Sequence, residues 1–356
     1  MFAILAQSAL DLEPSFKLTL ASFPVIKAGE AIHLGAGMQT ILGANGQIAT
    51  ELARELKRNY SDELKLVSRR PRKIHGADLL EAADLLDAEQ TARAVQGSSV
   101  VYFTAGLPPD TQLWEQQFPT MLHNALAASR AAGAPFVYFD NTYMYPQNAQ
   151  LQTEQTVFAP VGRKGRVRAT MAEMVLSEMA RSEIPVLIAR APEFYGPAQT
   201  QSITNTLVID RLKAGKTPLA LVRHDRLRTL IWTPDASRSL ALLGNTPDAY
   251  GQTWHLPCDD ERPSYKQLID WASQSFGRPL RSSRHHLLPR WALSAAGLIS
   301  KPVAELQELL PRYAHDNLFD SSKFKQAFPW FSVTSYQQGL TLIADEFQQN
   351  QQQSLT

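Results

Sequence analysis

With 356 residues, 44% of them hydrophobic and 19% charged, the chain is long enough for one large domain or for a core with a smaller appended lobe. Its formal net charge is +1, from 35 basic and 34 acidic residues, which gives no reason to expect nucleic acid or a membrane surface as a partner. A single cysteine, Cys258, excludes an internal disulfide and suits a reducing compartment, so the expected location is cytoplasmic.

Residues 1–37 carry no clear periodic element. Their apolar start is stopped by Asp11 and Glu13, well short of the ~18 apolar residues a membrane span needs. It also lacks the basic flank and small-residue cleavage site of a secretory leader. The expectation is either a poorly ordered extension or Met38 as the physiological start. From there short apolar runs at 38–42, 64–68, 79–83, 99–104, 135–140 and 186–190 alternate with helical patterns at 47–58, 88–95, 112–132 and 166–181. Strands alternating with helices of that length predict βαβ crossovers on a parallel sheet. The runs are apolar throughout, as suits strands covered on both faces. Beyond about Pro192 prolines recur, elements shorten, and 301–326 reads as an irregular helix before a glutamine-rich tail. The predicted fold class is α/β: a Rossmann-like doubly wound parallel sheet over 38–195, with a smaller mixed C-terminal substrate lobe over 196–356 that returns some elements to the core.

The most informative stretch is ILGANGQIATELARELKR. Apolar Ile41 and Leu42 lead into Gly43, Asn45, Gly46, Gln47 and Ile48, and an amphipathic helix follows at once. A glycine at 43 permits a tight turn, one at 46 lets backbone approach a pyrophosphate, and small Ala49 allows close helix–sheet packing. The helix start then offers free amides and a positive dipole end to phosphate. The second strand ends in Ser68-Arg69-Arg70, where an NAD site usually has an acid for the ribose hydroxyls. Two arginines suit a 2′-phosphate instead, so the expected cofactor is NADP rather than NAD; a solvated basic loop is the alternative. Asp84 and Leu85 close the third strand, where a carboxylate can meet an adenine amino group. Thr104, Ala105 and Gly106 end the fourth, leaving room for the nicotinamide half.

GANGQIA, SRRP, ADLLD, FTAG, FVYFDNTYMYP, RAPEFYGP and TLIWTPDASRSLALL together resemble the short-chain dehydrogenase/reductase superfamily in its extended branch, the NAD-dependent epimerase/dehydratase family. The resemblance covers roughly 38–257. It implies a nicotinamide cofactor, a small-molecule or sugar-type substrate and hydride transfer at an oxygen-bearing carbon. Pro192 and Phe194 fall in the loop that closes over the cofactor in that family, and dimers through the long helices are common there. Catalysis in the family uses a Ser or Thr after the fifth strand and a Tyr-x-x-x-Lys pair on the next helix, a phenol tuned by an ammonium. Here the Ser position falls on Asn141 or, with one slip, Thr142. The helix positions fall on Gly165 and Ala169 or, one residue earlier, on Lys164 and Arg168. Neither register holds a tyrosine. Lys164 and Arg168 share one helix face and can take over the ribose and phosphate contacts, or else form a basic solvated face. Tyr143 is the first candidate for a substitute acid and Tyr145 the second; the alternative is that both are packing residues, the commoner fate of an aromatic beside a strand. Asp235 is expected to cap a helix, and Arg228 to face the substrate cleft. Without the family tyrosine, a second function stays open: a non-catalytic NADP(H)-binding redox sensor or assembly factor.

No histidine sits at metal-site spacing with another ligand, and neither a Gly-x-Ser-x-Gly elbow nor a Walker lysine occurs. Cys258, flanked by two acids that would raise its pKa, reads as structural.

Overall fold

The computed structural model describes residues 37–198, 200–278 and 284–353. The expectation of a poorly ordered extension therefore lies, Gly37 apart, outside the described residues. The first half of the chain builds β1 (Met38–Leu42), α1 (Gln47–Asn59), β2 (Leu64–Ser68), β3 (Leu79–Ala82), α2 (Ala88–Val95), β4 (Ser98–Phe103), α3 (Thr111–Ala132), β5 (Phe136–Asp140), α4 (Gly162–Arg181) and β6 (Val186–Arg190). Next come β7 (Glu193–Tyr195), α5 (Asp210–Lys213), β8 (Leu219–Leu221), β9 (Leu230–Trp232), α6 (Thr233–Gly244), β10 (Thr253–His255), α7 (Tyr265–Ser275) and β11 (His286–Leu288). The chain finishes with α8 (Arg290–Gly297), α9 (Lys301–Leu306), α10 (Ser322–Ala327) and α11 (Tyr336–Gln353).

The central sheet has the order β10-β6-β5-β4-β1-β2-β3, and every pairing in it is parallel. Strand order reverses at β1, so the ends of β1 and β4 open a crevice at the C-terminal edge, the place where such sheets take their ligands. Successive side chains along each strand enter opposite layers. Ile41, Tyr102, Val137 and Leu187 pack on the face covered by α1 and α6, while Leu42, Phe103, Tyr138 and Ile188 pack under α3 and α4. Both faces are apolar, which explains the continuous hydrophobic runs of the sequence. Two smaller sheets, β7 with β9 and β8 with β11, belong to the C-terminal half, which also returns β10 to the main sheet.

Two expectations about helices change. Helix α4 starts at Gly162, four residues before the apolar periodicity does, because its first turn is held from afar. Gly162 adopts φ 77°, and the Glu308 carboxylate accepts from the Lys164 amide at 2.9 Å. The stretch 301–326 is broken into α9, a 3₁₀ segment Gln307–Tyr313 and α10. Pro311 lies inside the 3₁₀ segment, where a ring without an N–H cannot continue an α-helix.

Candidate functional site

Gly43 follows β1 at φ 90°, a left-handed conformation costly for any residue with a Cβ. A Cβ there would also lie 2.6 Å from the Ala105 nitrogen, so the turn after β1 closes directly against the end of β4. Helix α1 begins beyond Gly46 with no capping side chain and no acid in its first turn, which leaves its amides and dipole for a ligand. The Asn45 side chain donates to the Arg70 carbonyl at 2.9 Å and ties this turn to the basic end of β2.

A cleft of about 1420 Å³ opens over this turn. Gly43, Asn45, Gly46, Gln47 and Ile48 form its floor, with Arg69 and Arg70 at one side. Asp84 and Leu85 line it beyond β3, and Thr104, Ala105 and Gly106 beyond β4. Arg168 reaches it from α4 and Phe194 from β7, whereas Pro192 does not line it. Sequence reasoning passed over Pro108, Gln117 and Met121, which reach the cleft from the loop before α3 and from α3 itself, and Thr200 and Thr233 from the C-terminal half. Nothing in their local pattern distinguishes them, since only tertiary packing turns them to the same space.

Two buried polar atoms on cleft residues lack partners, Gln47 Nε2 and Arg168 Nε. The Arg168 guanidinium lies 5.1 Å from the Trp114 ring centroid and 4.4 Å from that of Phe118. Aromatic faces hold a cation without neutralising it. Orphaned donors, bare helix amides and a glycine cradle fit the phosphates and ribose of a dinucleotide.

The residues expected to perform chemistry lie elsewhere. Asn141, Thr142, Tyr143 and Lys164 stay outside the cleft lining, and residues of the 301–313 stretch contact Thr142, Tyr143 and Lys164. Asn141 Oδ1 accepts from the Tyr143 amide at 2.9 Å and shapes the turn after β5. The Thr142 hydroxyl, 2% exposed, accepts from Arg312 Nη2 at 2.9 Å. Lys164 is not a solvated base: it is 2% exposed, donates to the Thr111 hydroxyl at 2.6 Å and to the Glu305 carbonyl at 2.9 Å, and pairs with the Glu305 carboxylate. Burial pushes the Glu305 carboxyl up, but hydrogen bonds from Lys164 and Thr111 outweigh it and hold the pKa below its ordinary value.

The two tyrosines differ sharply. Tyr145 is buried, and its hydroxyl meets Arg190 Nη1 at 2.6 Å, His255 Nε2 at 2.7 Å and the Thr153 carbonyl at 3.0 Å. Burial pushes its phenol up to about 12, and these three partners occupy its hydroxyl. Arg190 also pairs with buried Asp140 at 3.0 Å. Tyr143 is partly buried, stacked on Trp114 with ring centroids 6.1 Å apart, and Arg312 lies 4.9 Å from its centroid. Burial raises its pKa, while the Arg312 charge pulls the other way.

Two further expectations are corrected. Arg228 is buried away from the cleft, paired with Glu193 and bonded to the Arg312 carbonyl at 2.7 Å, with its guanidinium 4.4 Å from the Tyr313 ring centroid. Asp235 lies in the first turn of α6 but does not cap it. Its carboxylate takes the Thr334 amide at 2.6 Å and Arg238 at 2.7 Å, fastening α6 to the segment before α11. Cys258 is buried, and its thiol is pushed up to about 12, chiefly by burial, with Asp235 and Asp259 adding to the rise and Lys325 and Arg262 opposing it. Among the described residues no cluster of three or more His, Cys, Asp or Glu is arranged to hold a metal, and no helix is long and apolar enough to cross a membrane.

Comparison with known proteins agrees with this architecture. Among curated proteins none matches the chain. Of solved structures, UDP-glucuronic acid 4-epimerase from Bacillus cereus in complex with NAD superposes with a TM-score of 0.71 at 16% identity, over 88% of this chain and 99% of that one. The dTDP-glucose 4,6-dehydratase DesIV from Streptomyces venezuelae, with NAD and TYD bound, gives 0.70 at 16% identity over 89% and 98%. The enzyme WbmH from Bordetella bronchiseptica in complex with NAD+ gives 0.67 at 16% over 88% and 98%. At such identities these likenesses establish the fold. The model of the NAD dependent epimerase/dehydratase family matches residues 40–255, more than half of the sequence, and the chain belongs to that family.

Proposed function

We propose that the protein binds NADP(H) and transfers hydride between the nicotinamide and an oxygen-bearing carbon of a small or sugar-type substrate. The observation that carries this reading is the cleft itself. The glycine turn, the ends of β2, β3 and β4, and Arg168 converge on one space, with Arg69 and Arg70 where a 2′-phosphate would extend. The cofactor, when bound, supplies the hydride chemistry at its C4. Gly43 and Gly46 let the backbone approach the pyrophosphate, and the α1 amides hold it. Asp84 and Leu85 border the adenine, and Thr104 to Gly106 the nicotinamide half. Arg168 takes the ribose contacts that the family lysine makes; permanently charged, it holds an oxygen but does not shuttle a proton. Tyr143, next to the cleft through Trp114 and Arg168 rather than in its lining, is the proton donor this reading assigns, since Tyr145 is saturated and Lys164 is engaged by Glu305. Residues of 196–356 form the substrate lobe, and the outer faces of α3 and α4 join two copies in a homodimer.

Replacing Tyr143 by Phe tests the proton step. Single-turnover hydride transfer should fall by about 10²-fold or more while cofactor affinity stays unchanged. Unaltered turnover in that variant would remove Tyr143 from the mechanism.

One observation favours a second reading, a non-catalytic NADP(H) sensor or assembly factor. In one register the helix position that carries the acid in the family holds a lysine sealed under Glu305, and in the other it holds Gly165, so neither offers a tyrosine. Tight NADP(H) binding, with no turnover of any carbonyl or sugar substrate, would select this alternative.

A further inference from the structure

Helices α8 and α9 form a short pair whose inner side is well packed and whose outer side is not. Inward, Leu293 joins Leu221, Leu310 and Tyr313 in a small apolar cluster. Outward, Trp291, Ser294, Ala295 and Leu298 are exposed at i, i+3, i+4 and i+7, one continuous helix face. Trp291 is 76% exposed, Leu298 88% and Ile299 91%, the last two in the turn that enters α9. A solvent-facing helix surface at that spacing is ordinarily polar. Scattered apolar side chains on a protein surface need no explanation, but a tryptophan and two aliphatic tips on adjoining turns do.

Charge supplies the second observation. Across 271–304 the sequence carries five basic residues and no acidic one, in a chain whose total is only +1. Arg284 and Arg290 are exposed ahead of the apolar face. Lys301 flanks its far side, bonded to Asp110 at 2.5 Å yet with 73% of its side chain in water. The near-neutral total that argues against a membrane surface is thus an average over an uneven distribution. An amphipathic tryptophan, apolar tips and a basic fringe are the features of a segment that lies in a membrane interface, the ring at headgroup level and the cations on anionic lipid.

We propose that the α8–α9 turn docks this protein onto an anionic lipid bilayer. Leu298 and Ile299 enter the boundary between headgroups and acyl chains, Trp291 sits at that boundary, and Arg284 and Arg290 meet the headgroup charge. None of Arg284, Arg290, Trp291, Leu298 and Ile299 lines the dinucleotide cleft, so the proposal does not depend on what the cleft binds.

The test is co-sedimentation of the full chain with vesicles of phosphatidylcholine alone or mixed with phosphatidylserine. The protein should pellet with the mixed vesicles, less so at high salt, and far less with phosphatidylcholine. Combined Trp291→Ser, Leu298→Ser and Ile299→Ser should lower partitioning about 100-fold or more, with melting temperature and NADP+ affinity unchanged, because all three side chains already face water. Arg284→Glu with Arg290→Glu should weaken binding to the mixed vesicles by at least about five-fold per position. Failure of the wild-type chain to pellet with mixed vesicles at low salt would overturn the proposal, as would triple-variant binding equal to wild type. Light scattering offers a further way to sink it: association of the wild-type chain that the serine variant abolishes, without any vesicle binding, would make the face a contact between copies.

Discussion

The ligand cleft and the polar cluster beside it at the start of α4 are built on opposite principles. At the β1–α1 end the protein presents backbone: glycines at 43 and 46, uncapped helix amides, and exposed arginines at 69 and 70. At the α4 end it presents side chains already paired with one another, Lys164 with Glu305 and Thr111, and Thr142 with Arg312. The first end has unmet hydrogen-bonding capacity that a ligand can satisfy. At the second, the 301–313 stretch meets that capacity from within the chain. The difference sets a turn whose backbone is open to a ligand against a neighbouring cluster whose polar groups are satisfied within the chain.

Gly43→Val should give the largest effect. A branched side chain at φ 90° against the Ala105 backbone should cost about 3 kcal/mol of stability, read by denaturant unfolding. It should also weaken NADP+ binding by roughly 100-fold or more in a binding titration. Ordinary affinity in that variant would detach the glycine turn from the cofactor.

A smaller effect belongs to the other end. Lys164→Met leaves the Glu305 carboxylate, 17% exposed, without its cation and should destabilise the fold by about 2–3 kcal/mol. NADP+ affinity should not change, because Lys164 does not line the cleft. A parallel loss of cofactor affinity would mean that the two ends are coupled.

The smallest expected effect concerns pH. Burial, and secondarily the Arg190 charge, hold the His255 imidazole well below its ordinary pKa. The unfolded chain therefore takes up a proton near pH 6.5 that the folded chain refuses. Stability should be full above about pH 6.5 and fall below it, with a slope approaching about 1.4 kcal/mol per pH unit. The depressed Glu305 carboxyl adds a loss only at more acidic pH, below its unfolded value near 4.5. Unfolding midpoints between pH 7 and pH 5.5 check this; a flat response would place His255 in a wetter site than its stacking on Phe319 at 3.9 Å indicates.

The same contrast explains what could be read from the sequence. The cofactor end was legible because its requirements are local. A strand, a glycine at positive φ and an uncapped helix start must be neighbours in the chain, and Arg69–Arg70 must follow the next strand. The α4 end was not legible. Lys164 and Glu305 are 141 positions apart, Thr142 and Arg312 are 170 apart, and no local periodicity announces such partners. The early start of α4 was missed for the same reason, since its cap comes from Glu308. Tyr143 and Tyr145 look interchangeable in FDNTYMYP, and only the packing of Arg190 and His255 around Tyr145 separates them.

The most direct test of the central claim is calorimetric titration of the full chain with NADP+ and, separately, NAD+, repeated on an Arg69→Ala, Arg70→Ala variant. NADP+ should bind with a low-micromolar dissociation constant, about −8 kcal/mol, and NAD+ much more weakly. The double variant should lose about 10- to 100-fold in NADP+ affinity and little for NAD+. Tighter binding of NAD+ would contradict the 2′-phosphate assignment while leaving the glycine turn in place, and binding of neither would contradict the cofactor site as a whole.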